Sequence, residues 1–230
     1  MGLDRISRRE LLRTAALAAA TGLMLPTGIA RPARGQAIRT PNPRAIRGEE
    51  RHDGAEIRAD LDRDLRIRNT VGTDGLGLCV WASLTMGALY HNCEPLFDLF
   101  EGMQRERGGG WPSRVDEKMR EKAPEVRYEQ WVGDDLSFIR SQVDRGRMVC
   151  ATYGYGELYH MQTIAHMVCV VGLTDEWACV LDNNDPEHIW WMDPAEYLRR
   201  FVHPSNQGWA VAIALPPPPP APHNRPARRA

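Results

Sequence analysis

Cys79 stands where a glycine-rich run, 72-GTDGLGLC-79, meets the apolar run 80-VWASLTMGALYH-91. The first backbone N–H groups of a helix have no intrahelical partner, and that end carries a partial positive charge. A thiolate is stabilised in such a place. Glycines ahead of it let the backbone approach a substrate closely, and the N–H of the cysteine itself can face a developing oxyanion. The spacing suits a thiol nucleophile. It suits equally a small buried residue at a tight turn, and the local stretch does not separate the two.

A thiol nucleophile needs a base, and the base needs an orienting partner. His166 opens the strongly apolar run 166-HMVCVVGL-173, where an imidazole can face a cleft while the rest of the strand fills a core. His160 lies in 153-YGYGELYHMQT-163 and is a rival base, but no strand pattern positions it. His91, His188 and His203 read as surface or structural residues. The run 181-LDNNDP-186 ends the next strand pattern. In an antiparallel hairpin turning at Asp175 and Glu176, its outer ends lie side by side, which makes Asp182 or Asn183 a cross-strand neighbour of His166. Either side chain can hold an imidazole in the useful tautomer, and either suits plain turn chemistry. Trp81, Trp111, Tyr153 and Tyr155 are aromatic residues for a core or for a peptide groove.

The elements that must carry these residues fall in two blocks. Helical periodicity covers 80–91, 94–107, 113–123 (with Ser113 as a cap) and 134–146. The period then shortens to that of strands at 147–154, 166–174, 177–184 and 188–193. A short helix begins at Pro194 and a closing strand runs from Trp209 to Leu215. Helices followed by an antiparallel sheet predict an α+β fold, a helical layer packed on a C-terminal sheet, over residues 66–215. Residues 31–65 read as a charged linker with a short helix near 55–64. The proline-rich 216–230 reads as an extended tail.

The balance of 29 basic and 30 acidic residues gives a formal net charge of -1, which offers no electrostatic case for a nucleic-acid partner. The five cysteines (Cys79, Cys93, Cys150, Cys169 and Cys179) are odd in number and form no CxxC pair or compact Cys/His cluster. No metal or other cofactor is expected, and the four cysteines other than Cys79 read as small buried residues. At the N-terminus, Ser7-Arg8-Arg9 followed by Leu11-Leu12 and a run of Leu and Ala resembles a twin-arginine export signal over residues 1–30. Cleavage after Ala30 is expected, with a second option at 35–37. The resemblance implies engagement of the twin-arginine machinery, a periplasmic or extracellular destination and no stable membrane anchor after cleavage. It also implies export of an already folded, reduced chain, so no disulfide framework is expected.

Together the parts resemble papain-like cysteine peptidases: a glycine-rich loop, Cys at a helix start, a distant strand opening with His, and Asp/Asn ending the next strand. The likeness is nearer to the bacterial double-glycine leader peptidase type and its secreted relatives. It extends to 138-FIRSQVDRGRMVCATYG-154, the strand 165-AHMVCVVGL-173 and the Asp-Pro turn with its short helix, 193-DPAEYLRRF-201, and covers roughly residues 68–203. It implies Cys79 as nucleophile, His166 as general base and then acid, Asp182 as orienter with Asn183 as alternative, and a peptide or protein as substrate. That family usually has an oxyanion-donating glutamine six residues before the cysteine; Thr73 stands there, beside Asp74. Loss of one such donor costs about 3 kcal/mol of transition-state stabilisation. A catalytically inactive binding module on the same fold, and a transglutaminase- or amidase-like acyl-transfer enzyme, are the other readings this pattern allows.

Overall fold

The computed structural model describes residues 45–48, 56–69, 77–154 and 163–215. The order of elements is β1 (Ala45–Gly48), α1 (Leu78–Tyr90), α2 (Leu99–Glu106), α3 (Pro112–Lys122), β2 (Tyr128–Gly133), α4 (Ser137–Asp144), β3 (Val149–Thr152), β4 (Met167–Leu173), β5 (Ala178–Leu181), β6 (Ile189–Met192), α5 (Pro194–Val202) and β7 (Gly208–Ile213). The strands form one sheet in the order β1-β6-β5-β4-β3-β7-β2, with every neighbouring pair antiparallel. The fold is α+β.

The strand sequences explain why helices cover both faces. β4, Met-Val-Cys-Val-Val-Gly-Leu, is buried along its whole length. An antiparallel strand with one wet face alternates apolar and polar residues; a run without polar residues needs cover on both sides. Met167, Cys169 and Val171 pack with α1 in one core, while Val168 and Val170 pack with Ile139 and Val143 of α4 and with Tyr197 and Phe201 of α5 in another. The expectation of a single helical layer is thus corrected. α4 and α5 are amphipathic and close the second face.

Local differences from the sequence reading have local causes. Pro112 begins α3 after an extended Trp111, so Ser113 lies inside the helix and caps nothing; proline's fixed φ suits the first helical position. The expected helix 94–107 is a 3₁₀ turn, Glu94–Leu96, followed by α2. β2 was not expected, since Tyr128–Gly133 alternates only weakly in polarity; it is an edge strand paired along β7. Asp193 caps α5 through Oδ1, which accepts from the N–H of Glu196 at 2.8 Å.

The charged segment 31–65 is not a linker throughout. Residues 45–48 pair with β6. Ala59 and Leu61 are buried, and near 55–64 the only regular turn is the 3₁₀ stretch Arg63–Leu65 among the described residues. The N–H groups of Arg58 and Ala59 both donate to the carbonyl of Val171, at 2.8 and 3.0 Å. Val171 lies at the irregularity where the β4–β5 register shifts between Val170 and Gly172. A bulge leaves backbone groups outside the ladder, and here the 56–59 segment satisfies one of them. Gly172 is required for that approach, because a Cβ there would sit 2.0 Å from the carbonyl oxygen of Glu56.

Candidate functional site

α1 begins at a left-handed residue, Gly77, with φ 67° and ψ 20°, a conformation other residues reach only at a cost of about 1–2 kcal/mol. A Cβ on Gly77 would lie 2.6 Å from the Cα of Gly109. The loop 108–110 therefore packs backbone to backbone on the helix start. Cys79 follows as the second helical residue, buried, with its N–H in the first turn. Its sulfur lies 3.9 Å from the carbonyl oxygen of Ala165, the residue before His166.

His166 is buried with its Nε2 2.8 Å from Oδ1 of Asp182, whose side chain is also buried. Burial lowers the pKa of the ring. The charge and hydrogen bond of Asp182, followed by the hydrogen bond and charge of Cys79, outweigh that effect and hold His166 up to about 10. The structure thus brings Cys79, His166 and Asp182 together, from the start of a helix, the start of β4 and the end of β5.

Asn183 is not the partner of His166. Its Nδ2 donates to the carbonyl of Met167 at 2.7 Å and reaches Ser83 Oγ at 3.0 Å and the carbonyl of Cys79 at 3.3 Å. Ser83 Oγ donates in turn to the same Met167 carbonyl at 3.1 Å. Asn183 therefore ties the residue bearing the thiol to the residue after the imidazole. The sequence reading missed Ser83, although it lies one helical turn beyond Cys79 on the same face. It also missed Asn184, whose N–H donates to Asp182 Oδ1 at 2.8 Å and whose Nδ2 lies 3.2 Å from His166 Nε2. Asn69 is buried at the same corner, its N–H donating to the carbonyl of Asn183 at 2.8 Å.

The contacts distinguish the two orienters. Past the end of β5 the chain turns, with the N–H of Asp185 donating to the Asp182 carbonyl at 2.9 Å. From that turn Asp182 meets His166, while Asn183 meets the Met167 carbonyl.

Thr73, Tyr155 and His160 lie outside the described residues. Trp81 is fully buried and donates its Nε1–H to the carbonyl of Gly108 at 3.2 Å. Tyr153 is buried on the opposite face of the sheet, where its hydroxyl accepts from Arg200 at 2.6 Å. Both are core residues rather than groove residues. Trp111 is 48% exposed, beside the 108–110 loop, with the Arg114 guanidinium 5.3 Å from its ring centre. His188 pairs with Asp185 at 3.0 Å and His203 with Thr163 at 2.9 Å, while His91 is buried. Cys93, Cys150, Cys169 and Cys179 are all buried and unbridged. Among the described residues no group of three or more His, Cys, Asp or Glu could hold a metal ion, and no helix is long and apolar enough to cross a membrane.

No protein-family model matches the chain, and no curated protein matches it in sequence.

Proposed function

We propose that the chain is a thiol-dependent hydrolase of papain-like architecture that cleaves peptide or isopeptide amides, exported through the twin-arginine route. The observation that carries the reading is a thiol in the first turn of a helix beside an imidazole held charged by a buried carboxylate. With Nε2 of His166 committed to Asp182, Nδ1 is the nitrogen that exchanges a proton with the sulfur. The Cys79 thiolate attacks the carbonyl carbon, and the first-turn N–H groups of α1 face the developing oxyanion. The imidazolium protonates the leaving amine. Water then attacks the thioester with His166 as base, releasing the acid and restoring the thiol. Asp182 holds the ring and stabilises its charge throughout.

The test is thiol reactivity. The folded protein is treated with sub-stoichiometric iodoacetamide from mildly acidic to neutral pH, and the labelled cysteine is mapped by mass spectrometry, with His166→Ala in parallel. Rapid labelling confined to Cys79 under acidic conditions, lost in the variant, is the expected result. Slow labelling with the pH dependence of an ordinary thiol, unchanged by the substitution, would refute the activated pair and leave a binding module on this fold. Amine acceptors added to a peptide substrate then separate hydrolysis from acyl transfer.

A further inference from the structure

We infer that Cys150 and Cys169 form a latent disulfide site, a cross-strand pair beneath α1 that a small-molecule disulfide can oxidise. The two residues are direct partners in the register of β3 and β4. Three residue pairs on, the N–H of Tyr153 donates to the carbonyl of His166 at 2.9 Å, which marks 153 and 166 as a hydrogen-bonded pair. Such pairs alternate with non-hydrogen-bonded ones along an antiparallel ladder. Ala151–Val168 and Val149–Val170 are then hydrogen-bonded, and Cys150–Cys169 is not. The Cα atoms of a non-hydrogen-bonded pair lie about 4.5 Å apart, inside the span of about 4.4–6.8 Å that a disulfide bridges. Both residues project to the same face, in the core beneath α1.

The helix above leaves room for the sulfurs. Cys169 Sγ lies 3.4 Å from the carbonyl of Ser83. A Cβ on Gly87, one turn further along α1, would come 3.6 Å from Cys150 Sγ. Two small residues on one face of α1 thus cap the pair. The other cysteines are elsewhere: Cys179 faces Gly172 on β5, and Cys93 follows the end of α1.

The chemistry balances with one co-reactant. One cysteine thiolate displaces half of the small disulfide and releases it as a thiol. The second cysteine displaces the other half. The pair loses two protons and two electrons, and the small disulfide is reduced to two thiols. The hydrogen bond to Cys169, then burial, hold the Cys150 thiol well above the ordinary range. Exchange in the native state is correspondingly slow, and the site fills most readily before α1 seals it.

The full chain is therefore refolded in a redox buffer of oxidised and reduced glutathione, and intact mass and non-reduced peptide maps are recorded. The expected product is a chain lighter by two hydrogens, with Cys150 and Cys169 linked and Cys79 unbridged. Its circular dichroism should match that of the reduced protein, and its thermal midpoint should be no lower. Cys150→Ala and Cys169→Ala should each abolish the link. A disulfide between other cysteines, glutathione adducts without an internal bridge, or an oxidised form that melts below the reduced one would overturn the inference. The outcome is independent of whether Cys79 is catalytic, because the link is read by mass.

Discussion

Asp182→Asn isolates the interaction on which the candidate site depends. In the native chain His166 is held charged up to about 10, against 6.5 for an ordinary histidine, despite a burial that works the other way. A folded-state pKa above the unfolded value stabilises the fold fully below pH 6.5, and the contribution drains away as pH rises towards 10. Over that interval the loss is about 1.4 kcal/mol per pH unit. The amide keeps the shape of the carboxylate but not its charge, so the largest contribution that raises the His166 pKa is lost and only Cys79 is left to oppose burial. Breaking a buried pair in this way costs about 3–5 kcal/mol at the acidic end of the window. The assay is urea unfolding of both proteins at matched pH. The gap between them should be about 2 kcal/mol smaller at pH 8 than at pH 6.5. Burial also raises the Cys179 thiol, and the contact with Cys169 and burial raise that of Cys150. Both proteins share these contributions, which cancel in the difference. A gap that stays constant between pH 6.5 and 8 would refute the charged His166–Asp182 pair.

Other perturbations test neighbouring parts of the site. Cys79→Ser should keep the fold, judged by circular dichroism, and lower peptide hydrolysis by roughly a thousandfold or more, measured at saturating substrate. Asn183→Ala removes the tie between the Cys79 and Met167 carbonyls; it should cost about 2 kcal/mol in urea unfolding and slow acidic alkylation of Cys79, whereas a purely structural role would leave the pH profile of alkylation unmoved. Gly77→Ala should destabilise by at least about 1–2 kcal/mol, with a further cost from the overlap with Gly109, read as a lowered thermal midpoint. Arg200→Ala removes a buried guanidinium that donates to Glu196 at 2.8 Å and to the Tyr153 hydroxyl at 2.6 Å. Arg199 still donates to the Glu196 carboxylate, so the loss should be about 1–3 kcal/mol, read by urea unfolding.

Much of this site is legible along the chain. A cysteine after glycines and before an apolar helical run carries its own geometry, because helix starts are local: Gly77 supplies the left-handed turn and Cys79 falls in the first turn of α1. The hairpin that returns β5 along β4 is equally local, closed at Thr174 and Trp177 by a 2.8 Å hydrogen bond. The edge strand β2 and the folded part of the charged N-terminal segment are not legible. Their residues are too polar to announce a strand or a core contact, and they are ordered by partners distant in sequence, β7 for one and the Val171 carbonyl for the other.

What the sequence determines by itself is the chemical inventory: a thiol at a helix start, an imidazole at a strand start, and carboxylate and amide together at a strand end. Periodicity and turn residues set these within single elements. Which of Asp182 and Asn183 meets the imidazole is decided only by tertiary structure. Both lie in the turn past the end of β5, where strand alternation no longer sets side-chain direction. The choice follows from contacts with His166 on β4's approach and with the Met167 and Cys79 carbonyls. No local pattern near Asp182 encodes it.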